Sequence, residues 1–349
     1  MRVTPAREIF SNAEELSELV DRFSQARIAV VGDFFLDQYL VIDPSLAEPS
    51  IETSLTANQV IGTRQSPGAA GTVTNNLSSL ETGELFAVGV IGDDGHGYIL
   101  RRELEKRGVN TDRLVPSPYR FTPTYTKPMF LRESGEVEGE RIDIINRTQT
   151  PPELEEEIIR QIEGVIPEVD ALVLLDQVVK PDVGVLTTRV RQAVSRLARR
   201  FSDKIFYADS RGAIGEYRDI IIKPNDREAM AAIGKPVDDA PADDVIQEAA
   251  RTLHQRTGKA VFTTRGSRGM LVTTEEGQVL VPGVPVEGPL DICGAGDSST
   301  AGIVLSLCAG ATYAQAALVG NIVASKTIVQ IGTTGTTTRK AVKETSLDF

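Results

Sequence analysis

Short, mainly apolar runs recurring between helical stretches constrain this chain most. Ile28–Val31, Leu85–Ile91, Ala171–Leu175 and Ile205–Asp209 are such runs. A strand with one wet face alternates apolar and polar residues, so an unbroken run indicates burial on both faces, as in a parallel sheet. Helical patterns over roughly 182–201 and 242–257, and to Arg107 after the second run, supply strand–helix alternation. The expected fold is α/β, a mostly parallel sheet with helices on both faces. Ile220–Ile222, Ala260–Thr264 and Met270–Thr273 continue the sheet, and Glu275–Gln278 reads as a hairpin turn before Val279–Val281. Residues 6–23 have the spacing of a leading amphipathic helix, and Thr312–Ile331 that of a last one before a Thr-rich loop at 333–338.

Two stretches break the alternation. Between 38 and 65, Tyr39–Ile42 and Gln59–Ile61 are brief strand-like pieces around a polar connection; between 122 and 146, Tyr125–Leu131 and Ile142–Ile145 are strand candidates. Two excursions from one sheet predict a small β-lid over a pocket, with loop strands of no functional meaning as the alternative. Between them, small residues from Ser66 to Asn76 enter a helix ending near Glu81. The expected organisation is one domain, 1–349, carrying this lid.

The 349 residues carry a net charge of −12, which excludes a nucleic-acid surface but not a small anion in a locally positive pocket. Two cysteines, Cys293 and Cys308, rule out a disulfide framework, and His96 and His254 lie too far apart for a local zinc site. With no membrane-length apolar stretch and no signal-peptide pattern, a cytoplasmic location is expected.

Chemistry concentrates in Asp291-Ile-Cys-Gly-Ala-Gly-Asp297, ahead of the apolar run Thr300–Gly310. Gly294, Ala295 and Gly296 allow a sharp turn and close approach of a ligand. A helix starting there aims free N–H groups and its positive dipole end at the turn, a seat for phosphate. Asp297 at the rim suits a general base for a hydroxyl attacking that phosphate; an ordinary helix cap is the alternative. Asp33 and Asp37 follow the first strand, where open α/β sheets bind ligands or where an Asp simply shapes a turn. Asn225 to Glu228, after Pro224, reads alone as a helix cap.

Together these pieces resemble the ribokinase-like (PfkB) family of sugar kinases. The resemblance rests on the 291–297 stretch, Gly92-Asp-Asp-Gly95-His-Gly97, Asn225-Asp-Arg-Glu228 and Thr264-Arg-Gly266-Ser-Arg-Gly269, and covers about residues 27–335. It implies transfer of the ATP γ-phosphoryl group to a sugar hydroxyl, with Asp297 as base and the backbone of Gly294, Ala295 and Gly296 holding the phosphoryl group. It further implies that Asn225 and Glu228 organise Mg2+ through water, and that Thr264 and Gly266 border the nucleotide with Asn321 near the adenine. As in some relatives, a monovalent cation such as K+ would sit near Asp291. On the sugar side, Asp37 would accept hydrogen bonds from substrate hydroxyls and Gly68 would give close access.

Thr72 stands where the family usually has Asn, and Ala69 replaces a second loop glycine. One hydroxyl holds fewer sugar oxygens than an amide. Within the family, the stretches around Asp33–Tyr39 and Ser66–Leu77 look most like the heptose 7-phosphate kinase branch. A sugar phosphate needs cations, and Arg64, Lys127, Arg132 and Arg141 in or near the lid are candidates, with solvated surface charge as the alternative. Unpaired lid edges would admit a second copy, giving a homodimer. A ligand-binding or regulatory protein on the same fold is the competing class, prompted by Ala69 and Thr72. A nicotinamide dehydrogenase is disfavoured, since no Gly-x-Gly-x-x-Gly turn follows the first strand.

Overall fold

A computed structural model describes residues 3–237, 241–332 and 334–349. Thr333, the first residue of the Thr-rich loop, lies outside the described residues, as do residues 1–2 and 238–240 of the expected 1–349 domain. In chain order the strands are β1 (Arg27–Gly32), β2 (Phe34–Pro49), β3 (Thr56–Ala69), β4 (Glu84–Gly92) and β5 (Val109–Ser117). There follow β6 (Thr124–Arg132), β7 (Gly135–Glu138), β8 (Ile142–Ile144), β9 (Ala171–Asp176) and β10 (Ile205–Ser210). The last four are β11 (Ile221–Ile222), β12 (Val261–Thr264), β13 (Met270–Thr274) and β14 (Gly277–Val281).

Nine of them form one sheet in the order β14-β13-β12-β11-β10-β9-β1-β4-β5. It is parallel from β12 to β5, and β13 and β14 add an antiparallel end. β1 is an interior strand, with Val30 level with Ala87 on one side and Val173 on the other. Its alternate residues go to opposite cores: Ile28 and Val30 pack with Leu77, Ile303 and Leu318, whereas Ala29 and Val31 pack with Ile158, Ile162 and Val194. The unbroken apolar runs therefore fill two cores, one under each helical layer.

The second sheet is the lid, ordered β3-β2-β6-β7 with β8 also on β6. The brief pieces expected at 39–42 and 59–61 are parts of much longer strands. β2 and β3 pair from Phe34 opposite Ala69 to Pro49 opposite Thr56, with register shifts after Val41 and Asp43. Their polar middles are held extended by the ladder, a long-range pairing that an apolar pattern does not report.

Other boundaries move for local reasons. The leading helix is two, Ala6–Ile9 and Ala13–Asp21, because Asn12 accepts the Glu15 N–H at 2.9 Å and starts the second afresh. The helix expected from 182 begins at Thr188, capped by Thr187, and the last long helix ends at Thr327. The helix Pro152–Val165 and edge strand β5 have no counterpart in the sequence reading.

β3 enters the helix Ala70–Ser79 through Ala69, at φ 52° and ψ −117°. That conformation suits glycine and strains any residue with a Cβ by about 1–3 kcal/mol. Ala69→Gly is expected to stabilise the protein by about 1 kcal/mol, the relief exceeding the entropy that glycine adds to the unfolded chain. A urea midpoint that falls instead would show no strain at this joint.

Candidate active site

The site lies at the C-terminal ends of the parallel strands, under the root of the lid. Asp37, on β2, faces the backbone of β3: a Cβ placed on Gly68 would lie 2.5 Å from Asp37 Oδ2, so any larger residue there would displace the carboxylate. Among the described residues, the Asp37 carboxylate has no hydrogen-bond or ion-pair partner. Burial raises its pKa, and Lys127 and Arg141 pull it back.

Two helices begin beside one another here without side-chain caps. Gly294 (φ 80°) starts the helix Ala295–Cys308, and Ala69 starts Ala70–Ser79. Thr72, buried in the first turn of the latter, puts its Cγ2 3.5 Å from where a Gly294 Cβ would be. The Ala295 N–H is engaged with the Ile292 carbonyl at 3.1 Å, so that amide is not free for a ligand. The amides of Gly294, Gly296 and Asp297 have no protein partner among the described residues, and they carry the dipole's positive end. Asp291 braces the turn, accepting from the N–H groups of Cys293 (3.0 Å) and Gly332 (3.1 Å).

Asp297 likewise has no hydrogen-bond or ion-pair partner among the described residues. Its pKa is pushed up to about 7 by burial and by the charge of Asp209, against the pull of Lys223 and Arg211. Lys223, at the end of β11, was not flagged by sequence. Its Nζ lies 2.8 Å from Asp209 Oδ2 and 3.4 Å from where a Cβ on Gly296 would be. Burial opposes its charge, but Asp209, Glu228 and Asp297 outweigh this and raise its pKa. Asp209 also accepts from Thr300 Oγ1 at 3.2 Å. The rule that picked out Asp33, a carboxylate ending a parallel strand, applies equally to Asp209.

Asn225 and Glu228 form a reciprocal capping box, Oδ1 accepting the Glu228 N–H at 2.8 Å and Oε2 the Asn225 N–H at 2.9 Å. The second carboxylate oxygen of Glu228 is left over, and burial followed by Asp209 raises the pKa of the group. No group of three or more His, Cys, Asp or Glu able to hold a metal occurs among the described residues. A lone carboxylate oxygen of this kind fits Mg2+, which keeps most of its water and takes phosphate oxygens as ligands.

Thr264 sits beside Asn225, its N–H donating to the Pro224 carbonyl at 2.9 Å. Gly266 (φ 58°) opens the adjoining turn, which at Gly269 packs against Val281–Gly283. Asn321 donates to the Pro282 carbonyl at 2.8 Å, so its amide pins that segment. The candidate residues thus follow one line, from Asp37 and Gly68 past Thr72, Gly294 and Asp297 to Asn225, Thr264 and the 266–283 edge. Asp33 lies off it, accepting from the N–H groups of Val185 (2.8 Å) and Gln177 (3.3 Å) to hold the loop after β9. The lid cations are mostly engaged: Arg64 with Glu136, Arg141 with Asp143, and Lys127 3.8 Å from Glu138.

A sheet of this order, roofed by a separate β-sheet at its strand ends, defines the fold class of ribokinase-like sugar kinases. The chain belongs to the pfkB family of carbohydrate kinases, whose model matches residues 25–340. It is 31% identical over 313 residues to the bifunctional protein HldE of Gluconacetobacter diazotrophicus, covering 89% of this chain and 62% of that protein. It therefore spans less than two thirds of that relative's length. The fold matches Arabidopsis thaliana ribokinase, solved with ribose and ATP, at TM-score 0.64 and 19% identity, over 92% of this chain and 99% of that one. Escherichia coli phosphofructokinase-2, solved with fructose-6-phosphate, matches at TM-score 0.64 and 18% identity, over 91% and 97%. No helix among the described residues is long and apolar enough to cross a membrane.

Breaking the buried Lys223–Asp209 pair should be costly, because the carboxylates lose their compensating charge. Lys223→Met is expected to destabilise the protein by about 3 kcal/mol at pH 8. Without the ammonium that holds it down, the already raised pKa of Asp297 rises further, so the deficit should shrink on acidification to pH 5.5. Urea unfolding at the two pH values reads this; an equal deficit at both would mean that lost packing, not charge, is responsible.

Proposed function

We propose that the chain, as a single kinase domain with a lid, transfers the γ-phosphoryl group of ATP to a hydroxyl of a sugar phosphate, of which heptose 7-phosphate is the leading candidate. The observation carrying this reading is the uncapped start of the helix Ala295–Cys308, with an unpaired Asp297 in its first turn and the Lys223 ammonium beside Gly296. Asp297 takes the proton from the sugar hydroxyl, whose oxygen forms the new bond to phosphorus while the bond to the ADP oxygen breaks. Free amides of Gly294, Gly296 and Asp297, with Lys223, hold the charge on the phosphoryl oxygens. Glu228 and Asn225 would hold Mg2+ through water, the ion supplying charge neutralisation on the ATP phosphates. Thr264, Gly266 and Asn321 border the nucleotide, Asn321 through the Pro282 segment it fixes. Asp37 and the Gly68 backbone receive the sugar, and Thr72 separates sugar from phosphate.

The sugar-phosphate assignment is supported by the likeness of the Asp33–Tyr39 and Ser66–Leu77 stretches to the heptose 7-phosphate kinase branch, and by the HldE relatives. K+ near Asp291 is proposed on the ground that E. coli phosphofructokinase-2 has been solved with potassium. A cytoplasmic location goes with the need for ATP.

ADP release over a panel of sugars and sugar phosphates tests the reading. Asp297→Asn should retain ATP binding while turnover falls at least about a hundredfold. For the wild type, kcat/KM for the sugar should fall with acidification below about 7, where the raised pKa of Asp297 leaves it protonated and unable to accept a proton. Turnover in Asp297→Asn like that of the wild type would remove it from the base role.

We also propose a homodimer built through the lid. Leu46, Ile51, Leu55, Val60 and Ile61 are exposed along β2, β3 and their connecting turn, and β3 is an edge strand. Sedimentation velocity should give a dimer, and Ile61→Lys should shift it toward monomer; a monomeric wild type at micromolar concentration would end the proposal.

A further inference from the structure

A substrate phosphate needs cations that are not already spent, and the lid does not offer the best of them. Arg64 and Arg141 are each held by two short hydrogen bonds to a carboxylate, Lys127 is near Glu138 and 5.2 Å above the Tyr39 ring, and Arg132, which has no ion pair among the described residues, stands exposed at the β6–β7 turn over the Phe130 ring. Behind the root of the lid, however, lies a cavity of about 380 Å3. It is in the size range of a small-molecule site. Four cations and one acid line it: Arg120, Arg147, Lys180 and Arg211, with Asp33.

These cations differ in what they already hold. Arg120 is buried and donates to the Val183 and Thr148 carbonyls, so it stiffens the wall. Lys180 donates to the Arg147 carbonyl at 2.6 Å. The guanidinium groups of Arg147 and Arg211 have no hydrogen-bond or ion-pair partner among the described residues, although both line the cavity. The acid is spent on backbone amides, since Asp33 accepts from Val185 and Gln177. Phe34, Phe35 and Val178 supply apolar wall, which strengthens any charge interaction inside.

Arg211 ties the cavity to the catalytic line. It follows Ser210, the last residue of β10, and lines the cavity two residues beyond Asp209, which holds Lys223 beside Gly296 in the turn of Asp297. A molecule with its reacting hydroxyl at Asp297 can therefore extend past Arg211 into the cavity. We infer that this cavity receives the phosphate monoester carried by the sugar, with Arg147 and Arg211 as its ligands and Arg147 as a residue selecting phosphorylated over plain sugars. Guanidinium is suited to the task, because its planar fork matches two phosphate oxygens. The inference rests on the kinase reading above.

The test compares heptose 7-phosphate with the same heptose lacking the phosphate, as acceptors for wild type, Arg147→Gln and Arg147→Lys. Arg147 is exposed and unpaired, so its replacement leaves folding intact. Arg147→Gln should raise KM for the phosphorylated sugar about tenfold to a hundredfold, leaving KM for ATP and turnover of the plain sugar unchanged. Arg147→Lys should recover part of the loss, and inorganic phosphate should compete with the phosphorylated sugar less well in Arg147→Gln. Turnover of heptose 7-phosphate with the same KM in Arg147→Gln, or a wild type preferring the plain sugar, would overturn the inference and leave the kinase reading standing. If no sugar is turned over, the kinase reading fails, and calorimetric titration with heptose 7-phosphate decides the cavity. Weaker binding in Arg147→Gln than in wild type supports it, while equal binding, or none to either, overturns it.

Discussion

The Lys223–Asp209 ion pair is the constraint on which the rest of the site depends. Both groups are buried, and their oxygen and nitrogen are 2.8 Å apart. Burying either charge without the other would be costly. Asp209 comes from β10, Lys223 from the end of β11, and Thr300, which also donates to Asp209, from the helix Ala295–Cys308. One buried carboxylate thus fixes the strand ends relative to the helix whose first turn is left open. The ammonium is then held beside Gly296, where a larger residue would crowd it. Asp297, in the same turn, feels Asp209 and Lys223 with opposite sign, and burial sets the balance toward a pKa near neutrality. Packing and proton affinity here have one cause.

The lid depends on that floor from the other side. β2 and β3 leave the core as a continuous ladder, so the Asp37 carboxylate is fixed against the Gly68 backbone before the ribbon reaches solvent. The strained Ala69 joint turns β3 directly into the helix whose Thr72 Cγ2 lies 3.5 Å from where a Cβ on Gly294 would be. A glycine at 69 would reach the same geometry without strain. The joint's fixed position, between the β2–β3 ladder and the Gly294 turn, accounts for the conformation being held in spite of the alanine.

Legibility in the sequence followed the range of the interactions. β1, β4, β9 and β10 were plain because each carries its own evidence, an apolar run filling two cores. The Gly-Ala-Gly turn was plain because a lack of side chains is local. The lengths of β2 and β3 were hidden, since residues such as Thr63 and Gln65 are extended only by pairing across the ribbon. Lys223 was hidden for a related reason: beside Pro224 it reads as a surface charge, and its burial appears only when β10, β11 and a helix some seventy residues later meet. Asn225 to Glu228 read equally well as cap and as metal-organising element. The cap is present, and it leaves one Glu228 oxygen unspent, so the two readings are compatible.

The charge distribution completes the argument. A chain with net charge −12 repels anions at long range, and any pocket for ATP and a second phosphate must overcome this locally. The cations here are not spread over a face. Lys223 and Arg211 follow the ends of neighbouring strands of the parallel sheet, and two uncapped helix starts add partial charges beside them. Parallel strands deliver residues after their C-terminal ends to one rim, so these two cations meet the site's carboxylates there. The acidic exterior works against unspecific polyanions.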